Sequence, residues 1–117
     1  MTADKKREYH PAEGHDSAST EWCVYLVRCR DKSLYTGIAT NVPRRFAEHA
    51  RAGSRSSRYL RGKGPLQLVY VRVIGGRQLA LRVESRVKRL PKSQKEALVK
   101  QRLMIDGLIE LARSGHS

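Results

Sequence analysis

Only a few acidic side chains could bind a metal ion or exchange protons in the central part of this sequence. Residues 22–102 contain four of them, namely Asp31, Glu48, Glu84 and Glu96. Asp31 falls in a polar turn, and Glu96 ends a Ser-Gln-Lys-Glu sequence starting at Ser93 that is typical of a capping box at a helix start. Glu84 has neither role. It lies at the edge of the apolar stripe of a predicted helix, where a carboxylate needs a partner.

Two interpretations of Glu84 follow from this position. The structural one is an ion pair with Lys88 or with a nearby arginine, because a glutamate four residues before a lysine is favourably spaced on a helix. The functional one is a ligand for a divalent metal ion, since hard cations prefer oxygen ligands such as carboxylates.

Arg45 and His49 are four residues apart on another predicted helix, so they project together from one flank. Arg44 and Glu48 form the neighbouring pair on that helix. A run of charges like this one usually marks a solvated helix face. Taken alone, therefore, these four side chains do not identify a site.

Two tyrosines, Tyr25 and Tyr35, fall in two consecutive predicted strands. Burial of both rings is the ordinary interpretation, and a phenol that reaches a cleft is the functional one. Gly37 follows Tyr35 near the strand end. Because glycine has no β-carbon, it allows a sharp backbone turn, a close approach of substrate, or a plain bulge at this position.

Three strands are predicted from the distribution of β-branched and aromatic residues. Residues 22–28 and 34–38 have strand composition, and the polar stretch between them predicts a hairpin. Residues 66–74 form the third predicted strand, which Gly75 and Gly76 end.

Helical patterns alternate with these strands. Asn41 caps a helix to about Arg51, Pro43 fits its first turn, and its predicted buried stripe consists of Val42, Phe46 and Ala50. Residues 77–90 form an amphipathic helix, the capping box at Ser93 opens another, and a last helix or docked turn is interrupted at Gly107. The order predicts an α+β fold, a small, mainly antiparallel three-stranded sheet flanked by helices.

Charge is distributed unevenly along the chain. Residues 1–21 carry three basic and five acidic side chains and few large apolar ones, which predicts a disordered tail. Residues 22–117 carry 21 basic and 6 acidic side chains, so nucleic acid is the first partner to consider. The residues expected to contact it lie mostly in a basic loop and are Arg44, Arg51, Arg55, Arg58, Arg61 and Lys63.

Composition disfavours several other classes of protein. No apolar run is long enough for a membrane span, and no apolar segment near the N-terminus resembles a secretion signal, so we expect a cytoplasmic protein without a membrane partner. The spacing of Cys23 and Cys29 is unlike that of a metal-binding pair and favours buried free thiols. The four histidines show no ligand spacing, which argues against a zinc site.

Taken together, Tyr25, the Tyr35-Thr-Gly37 strand end, Arg45, His49 and Glu84 resemble the GIY-YIG nuclease superfamily. The resemblance covers residues 22–99 and is greatest to small stand-alone bacterial members of the YhbQ type. Those members have similar LYTGI, RRxxxH, RGKG and LALRxExRVK stretches. The resemblance divides the chain into a tail, a nuclease domain over 22–102, and a C-terminal helix or tail over 103–117.

The resemblance implies metal-dependent hydrolysis of phosphodiester bonds in nucleic acid, with DNA expected as the substrate ahead of RNA. A monomer is the default expectation for the oligomeric state. Glu84 would hold one Mg²⁺ or Mn²⁺ ion, and Arg45 would bind phosphate oxygens as charge develops on them. Tyr25 or Tyr35, with a pKa lowered by the positive surroundings, would help to deprotonate the attacking water. His49 would take the same proton or hold the phosphate.

The sequence also departs from the family pattern. The first motif reads Cys-Val-Tyr25 instead of Gly-Ile-Tyr, and the second has Thr36 in place of isoleucine. Many members carry an asparagine downstream of the glutamate, whereas Asn41 is the only asparagine in this chain. This difference supports an alternative function as a catalytically weak or inactive nucleic-acid-binding module.

Overall fold

The computed structural model describes residues 21–51, 58–101 and 105–114. Most of the predicted N-terminal tail and Arg55 of the predicted basic loop lie outside the described residues. A 3₁₀ turn at Arg58–Leu60 follows the first gap. The architecture below therefore concerns the central domain and the helix that follows it.

The sheet has three strands, β1 (Trp22–Arg28), β2 (Leu34–Ala39) and β3 (Gln67–Gly75). Their order is β2-β1-β3, and both pairings are antiparallel. The predicted hairpin is confirmed, because β1 and β2 pair directly through a short turn in which Lys32 has a φ of 72°. β1 is thus the central strand, and its two faces determine what each side of the molecule contains.

Within the described residues, four helices surround this sheet, as the sequence predicts for an α+β fold. They are α1 (Val42–Ala50), α2 (Arg77–Arg89), α3 (Lys92–Val99) and α4 (Asp106–Arg113). Gly107 lies within the first turn of α4 and does not interrupt that helix. None of the helices in the described ranges is long and apolar enough to cross a membrane.

The predicted cap of α1 is confirmed, but its predicted buried stripe is wrong at one position. The Asn41 side chain accepts a hydrogen bond from the Arg44 N–H at 3.1 Å, and Pro43 occupies the first turn. Ala50 is exposed, whereas His49 is buried beside Val42. A histidine can replace an apolar residue here because its ring finds a buried hydrogen-bond partner in the sheet.

The predicted capping box at Ser93 is wrong. Pro91 precedes the first residue of α3 and no side chain caps that helix. Glu96 instead accepts two hydrogen bonds from the Arg28 guanidinium at 2.6 and 2.8 Å. A two-pronged, charge-assisted contact with β1 is stronger than a local bond to a backbone N–H, so the tertiary partner prevails.

The two faces of the sheet have different cores. The face toward α2, α3 and α4 is aliphatic, with Val24 and Leu26 of β1 packed in one cluster with Val83, Leu98 and Ile109. The face toward α1 contains Tyr25, Cys23 and Val27, packed with Ala39 and Val42. Cys23 and Cys29 are buried, and neither forms a disulfide, as expected.

Candidate active site

Tyr25 lies in the middle of β1 directly opposite Gly37 of β2. A β-carbon added at Gly37 would lie 2.5 Å from the Tyr25 hydroxyl oxygen and 2.6 Å from Cζ. Glycine is therefore needed here because the tyrosine ring lies over its α-carbon. The close approach to Gly37 is thus made by a side chain of this protein, and an approach of substrate at this position stays a prediction.

A buried hydrogen bond joins this tyrosine to α1. The Tyr25 hydroxyl is 3.0 Å from Nε2 of His49, and the two residues are 1% exposed. Arg45 also hydrogen-bonds the phenol oxygen, and a guanidinium can only donate. We assign the Tyr25 hydroxyl as the donor and Nε2 of His49 as the acceptor of their hydrogen bond. The phenol oxygen then accepts the hydrogen bond from Arg45.

Burial raises the pKa of Tyr25, and the neighbouring phenol of Tyr35 raises it further, while the charge of Arg45 opposes the rise. The expectation of a lowered phenol pKa is therefore wrong for Tyr25, because removal from water disfavours the phenolate more than the positive surroundings favour it. Burial, followed by the charge of Arg45, lowers the pKa of His49. At neutral pH the pair is thus an uncharged phenol and an uncharged imidazole.

Tyr35 is the more exposed of the two strand tyrosines. Its ring meets His49 edge-on, with ring centroids 5.6 Å apart, and it is tilted against Tyr25 at 6.4 Å. A third tyrosine, Tyr59, stacks on Tyr35 with centroids 5.7 Å apart and an angle of 24° between the rings. Tyr35 therefore links the buried pair to the surface.

Arg45 reaches the same cluster from the exposed flank of α1. Its Nη1 atom donates a 2.8 Å hydrogen bond to Oε1 of Glu48, and about a third of its side chain is exposed. Arg44 and Arg45 both line an open cleft of about 260 Å³ next to the N-terminus of α1. Glu48 thus holds the guanidinium in place while leaving it accessible to an anion in the cleft.

Glu84 belongs to α2, the helix that packs on the aliphatic face of the sheet. Its carboxylate is 3.3 Å from Nζ of Lys88, so the ion pair considered from the sequence is present. The side chain of Glu84 is only 16% exposed, whereas that of Lys88 is 55% exposed. The charge of Glu84 is the smallest of the contributions that raise the pKa of Tyr25.

A metal ion at this site would be held by a single carboxylate of the protein. Across the described ranges, no group of three or more His, Cys, Asp or Glu side chains could hold a metal ion. A single carboxylate such as Glu84 suits Mg²⁺, which keeps several of its waters and often takes only one or two protein ligands. The role of Glu84 as a metal ligand stays a prediction.

The predicted nucleic-acid-binding residues lie on α1 and on the loop that follows it. Arg44, Arg51 and Arg61 are exposed, and Lys63 is partly exposed. Arg55 and the side chain of Arg58 lie outside the described residues. Lys63 alone of these is connected to the tyrosine cluster by a described contact, through Tyr59.

Two contributors to the site were missed at the sequence level. Glu48 was read only as part of a charged pair, although it holds Arg45 in place. Tyr59 was overlooked, although an aromatic residue within a basic stretch is a common feature of nucleic-acid-binding surfaces. That interleaving is the signal that could have identified it.

Comparison with known proteins agrees with this arrangement. Residues 21–97 match the GIY-YIG catalytic domain family. A UPF0213 protein of Vibrio cholerae is 53% identical over 88 residues, which cover 74% of this chain and 85% of that protein. The UPF0213 protein YhbQ of Salmonella typhimurium is 46% identical over 90 residues, or 77% and 88% of the two chains.

A solved structure is also similar to this chain. It is the solution NMR structure of a UPF0213 protein from Bacillus halodurans, with 38% sequence identity and a TM-score of 0.45. The match covers 69% of this chain and 84% of that one.

Proposed function

This chain belongs to the GIY-YIG family, and from that membership we propose that it is a metal-dependent endonuclease that hydrolyses phosphodiester bonds in nucleic acid. One observation carries the proposal. Four side chains singled out in the sequence pack or interact around the Tyr25 hydroxyl, namely Tyr25, Tyr35, Arg45 and His49, and the charge of Glu84 acts on the same phenol. Chance placement of surface charges does not explain a cluster with a buried phenol and imidazole at its centre.

Glu84 is the residue proposed to hold the divalent ion, with water in the remaining coordination positions. When bound, Mg²⁺ or Mn²⁺ would polarise the phosphate and stabilise the leaving oxygen. Lys88 has to release the Glu84 carboxylate, which costs little because its own side chain is 55% exposed and such pairs are weak. Lys88 is then available to the solvent or to a substrate phosphate.

Arg45 is proposed to bind the scissile phosphate. Its guanidinium can offer two parallel N–H groups to non-bridging oxygens, where negative charge grows during the reaction. The bond from Arg45 to Glu48 fixes the side chain beforehand, so little rotational freedom is lost when the phosphate binds.

Tyr35 is proposed to act as the base toward the attacking water. Its hydroxyl first releases its proton to solvent, and the phenolate oxygen then accepts a proton from the water. Tyr35 is more accessible than Tyr25, whose burial and raised pKa keep its phenol protonated. His49 is also buried, and its Nε2 faces Tyr25, so we give His49 and Tyr25 positioning roles behind Tyr35. Their hydrogen bond sets the rotamers against which the Tyr35 ring packs.

The excess of positive charge supports DNA or RNA as substrate through contacts to the phosphate backbone, which carry no sequence information. We therefore propose low sequence specificity, with DNA preferred to RNA, and a role in DNA repair, recombination or processing in the cytoplasm. A small catalytic domain has little surface left for reading bases.

A second candidate function is a nucleic-acid-binding module without turnover. The ion pair between Glu84 and Lys88 favours it, because that pair satisfies the carboxylate without any metal ion. The single asparagine of the chain, Asn41, caps α1, so it cannot replace the asparagine that many members carry after the glutamate.

One assay separates the two candidates. The purified chain is incubated with labelled single-stranded, duplex and flap DNA, and with the matching RNAs, in Mg²⁺, in Mn²⁺ and in chelator. The endonuclease predicts cleavage in metal and none in chelator. Binding without cleavage on every substrate would instead establish the second candidate.

A further inference from the structure

Tyr59 presents its ring to the surface from a fixed backbone. Its side chain is 45% exposed, whereas the next residue, Leu60, is only 2% exposed and anchors the chain. The Arg30 N–H donates to the Lys63 carbonyl at 2.9 Å, and the Lys63 N–H donates to the Leu60 carbonyl at 3.1 Å. Tyr59 is thus a half-exposed aromatic ring next to a stretch of backbone held by these hydrogen bonds.

Lys63 lies over this ring. Its Nζ is 4.0 Å from the ring centroid of Tyr59, a cation–π distance, and 3.4 Å from Oδ2 of Asp31. Because Tyr59 also stacks on Tyr35, a lysine and an aromatic ring stand together at the border of the candidate active site. Those are the two groups that hold a single nucleotide in many proteins, one on its phosphate and one on its base.

The ion pair between Lys63 and Asp31 is easily exchanged. Asp31 accepts hydrogen bonds from the Ser33 hydroxyl at 2.6 Å and from the Ser33 N–H at 3.0 Å. These bonds are the main cause of its lowered pKa of about 2, so the carboxylate stays satisfied without the lysine. Exposed pairs of this kind contribute little to stability, and a phosphate can therefore take over Lys63 at small cost.

We propose that Tyr59 and Lys63 form a nucleotide-binding subsite beside the candidate active site. Tyr35 stacks on the Tyr59 ring and Lys63 lies over it, so Lys63 moves off the ring to bind a phosphate, and an unpaired nucleobase of the same nucleotide stacks in its place. This proposal rests on the proposed function, because the subsite would hold the nucleotide next to the one that is cut. Stacking tolerates every base, so the subsite selects an unpaired base without reading its identity. A base within an intact duplex cannot enter it, because its faces are covered by its neighbours.

The test is a double-mutant cycle that combines a substitution of Tyr59 with the removal of one base from the DNA. A short fluorescent single-stranded DNA is made with one abasic position, moved along the strand, and binding is measured in chelator so that no cleavage occurs. Tyr59→Ala is expected to weaken binding of the intact strand about 5- to 100-fold, the range measured for the loss of one base–aromatic stack. At one position, the abasic strand should bind the wild type equally weakly and lose nothing further with Tyr59→Ala.

Matched controls separate stacking from general surface effects. Tyr59→Phe should bind like the wild type, and Leu111→Ala removes a side chain that is equally exposed, at 44%, on α4. For the lysine, Lys63→Ala should reduce the salt dependence of binding. Lys92→Ala should leave the salt dependence unchanged, although it also breaks an ion pair of 3.4 Å, the one between Lys92 and Glu96.

The outcomes distinguish this proposal from the proposed function. If Tyr59→Ala binds the intact strand like the wild type, or if its loss multiplies with the abasic loss at every position, the subsite is wrong. Cleavage by the wild type in metal together with that result would leave the endonuclease intact. Coupling at one position without any cleavage would instead keep the subsite and overturn the endonuclease.

Discussion

The two faces of the three-stranded sheet perform different tasks with the same central strand. Val24 and Leu26 of β1 point into a core whose fully buried side chains are aliphatic, with Trp22 and Tyr70 packed against it. Tyr25, between them in sequence, points to the other face, where its hydroxyl bonds His49. One strand thus supplies hydrocarbon for stability on one side and a polar pair for the site on the other.

The aliphatic face also positions a residue of the candidate site. Val83 and Val87 of α2 are fully buried against the sheet, and Glu84 follows Val83 directly. The packing of α2 therefore fixes the direction in which the Glu84 carboxylate projects. A change on the aliphatic face should alter stability alone, provided that it does not rotate this helix.

Removing a large side chain from the aliphatic face should have the largest effect on stability. Leu98 of α3 is 1% exposed, so Leu98→Ala should lower the free energy of unfolding by about 2 to 5 kcal/mol. Cleavage per folded molecule, measured well below the unfolding temperature, should be unchanged. A large loss of cleavage with normal stability would show that the two faces are not separate in function.

Arg45→Lys should have the opposite signature. A lysine keeps the positive charge but loses the two-pronged donor geometry, so single-turnover cleavage should fall about 100- to 1000-fold, which corresponds to about 3 to 4 kcal/mol. Nucleic-acid affinity and thermal stability should barely change. The matched control is Arg113→Lys, which alters an arginine in a similar pair with a glutamate three residues away. Equal cleavage by Arg45→Lys and the wild type would remove Arg45 from the active site.

Gly37→Ala should disturb both properties at once. The new β-carbon would collide with the buried Tyr25 ring, which has to move and weaken its bond to His49, at a cost of about 1 to 3 kcal/mol in unfolding free energy. Cleavage should fall as well. Gly107→Ala is the control, since no atom lies within 4 Å of a β-carbon there and alanine favours the helix. Equal stability of both variants would contradict the packing explanation of Gly37.

The smallest effect concerns acid stability and the pair between Arg28 and Glu96. The Arg28 hydrogen bonds lower the pKa of Glu96 from 4.5 to about 2, so its contribution is fully present above pH 4.5 and is lost as the pH falls toward 2. Glu96→Gln should lower the free energy of unfolding by about 1 kcal/mol at neutral pH. It should also make that free energy depend less on pH below pH 4.5. Urea unfolding at several pH values measures it, with the exposed Glu110→Gln as control. The same dependence of the unfolding free energy on pH in Glu96→Gln and in the wild type would contradict this explanation.

Much of the fold could be predicted from the sequence because its signals are local. The strand composition, the Asn41 cap and the amphipathic pattern of α2 each depend on residues a few positions apart. The contacts that correct the prediction are distant in sequence. Glu96 leaves its local cap for Arg28, 68 residues away, and no local pattern reveals such a partner.

For the candidate site, the sequence suggests which residues to consider but not how they are buried and packed. The residue types came from a family resemblance, but the burial of His49 and the Tyr25 ring over Gly37 depend on how α1 packs against the sheet. That packing also reverses the expected direction of the Tyr25 pKa, because burial outweighs the nearby positive charge. Tyr59 enters the cluster only through the path of the loop.

The most direct test of the central claim compares Glu84→Gln with Lys88→Met. Both variants break the 3.3 Å ion pair, but only the first removes the proposed metal ligand. Single-turnover cleavage and binding are measured on the same DNA in Mg²⁺ and in Mn²⁺. We expect Glu84→Gln to bind DNA without cutting it, and Lys88→Met to cut it still. Cleavage by Glu84→Gln at the wild-type rate, or an equal loss in both variants, would contradict a metal-dependent active site at Glu84.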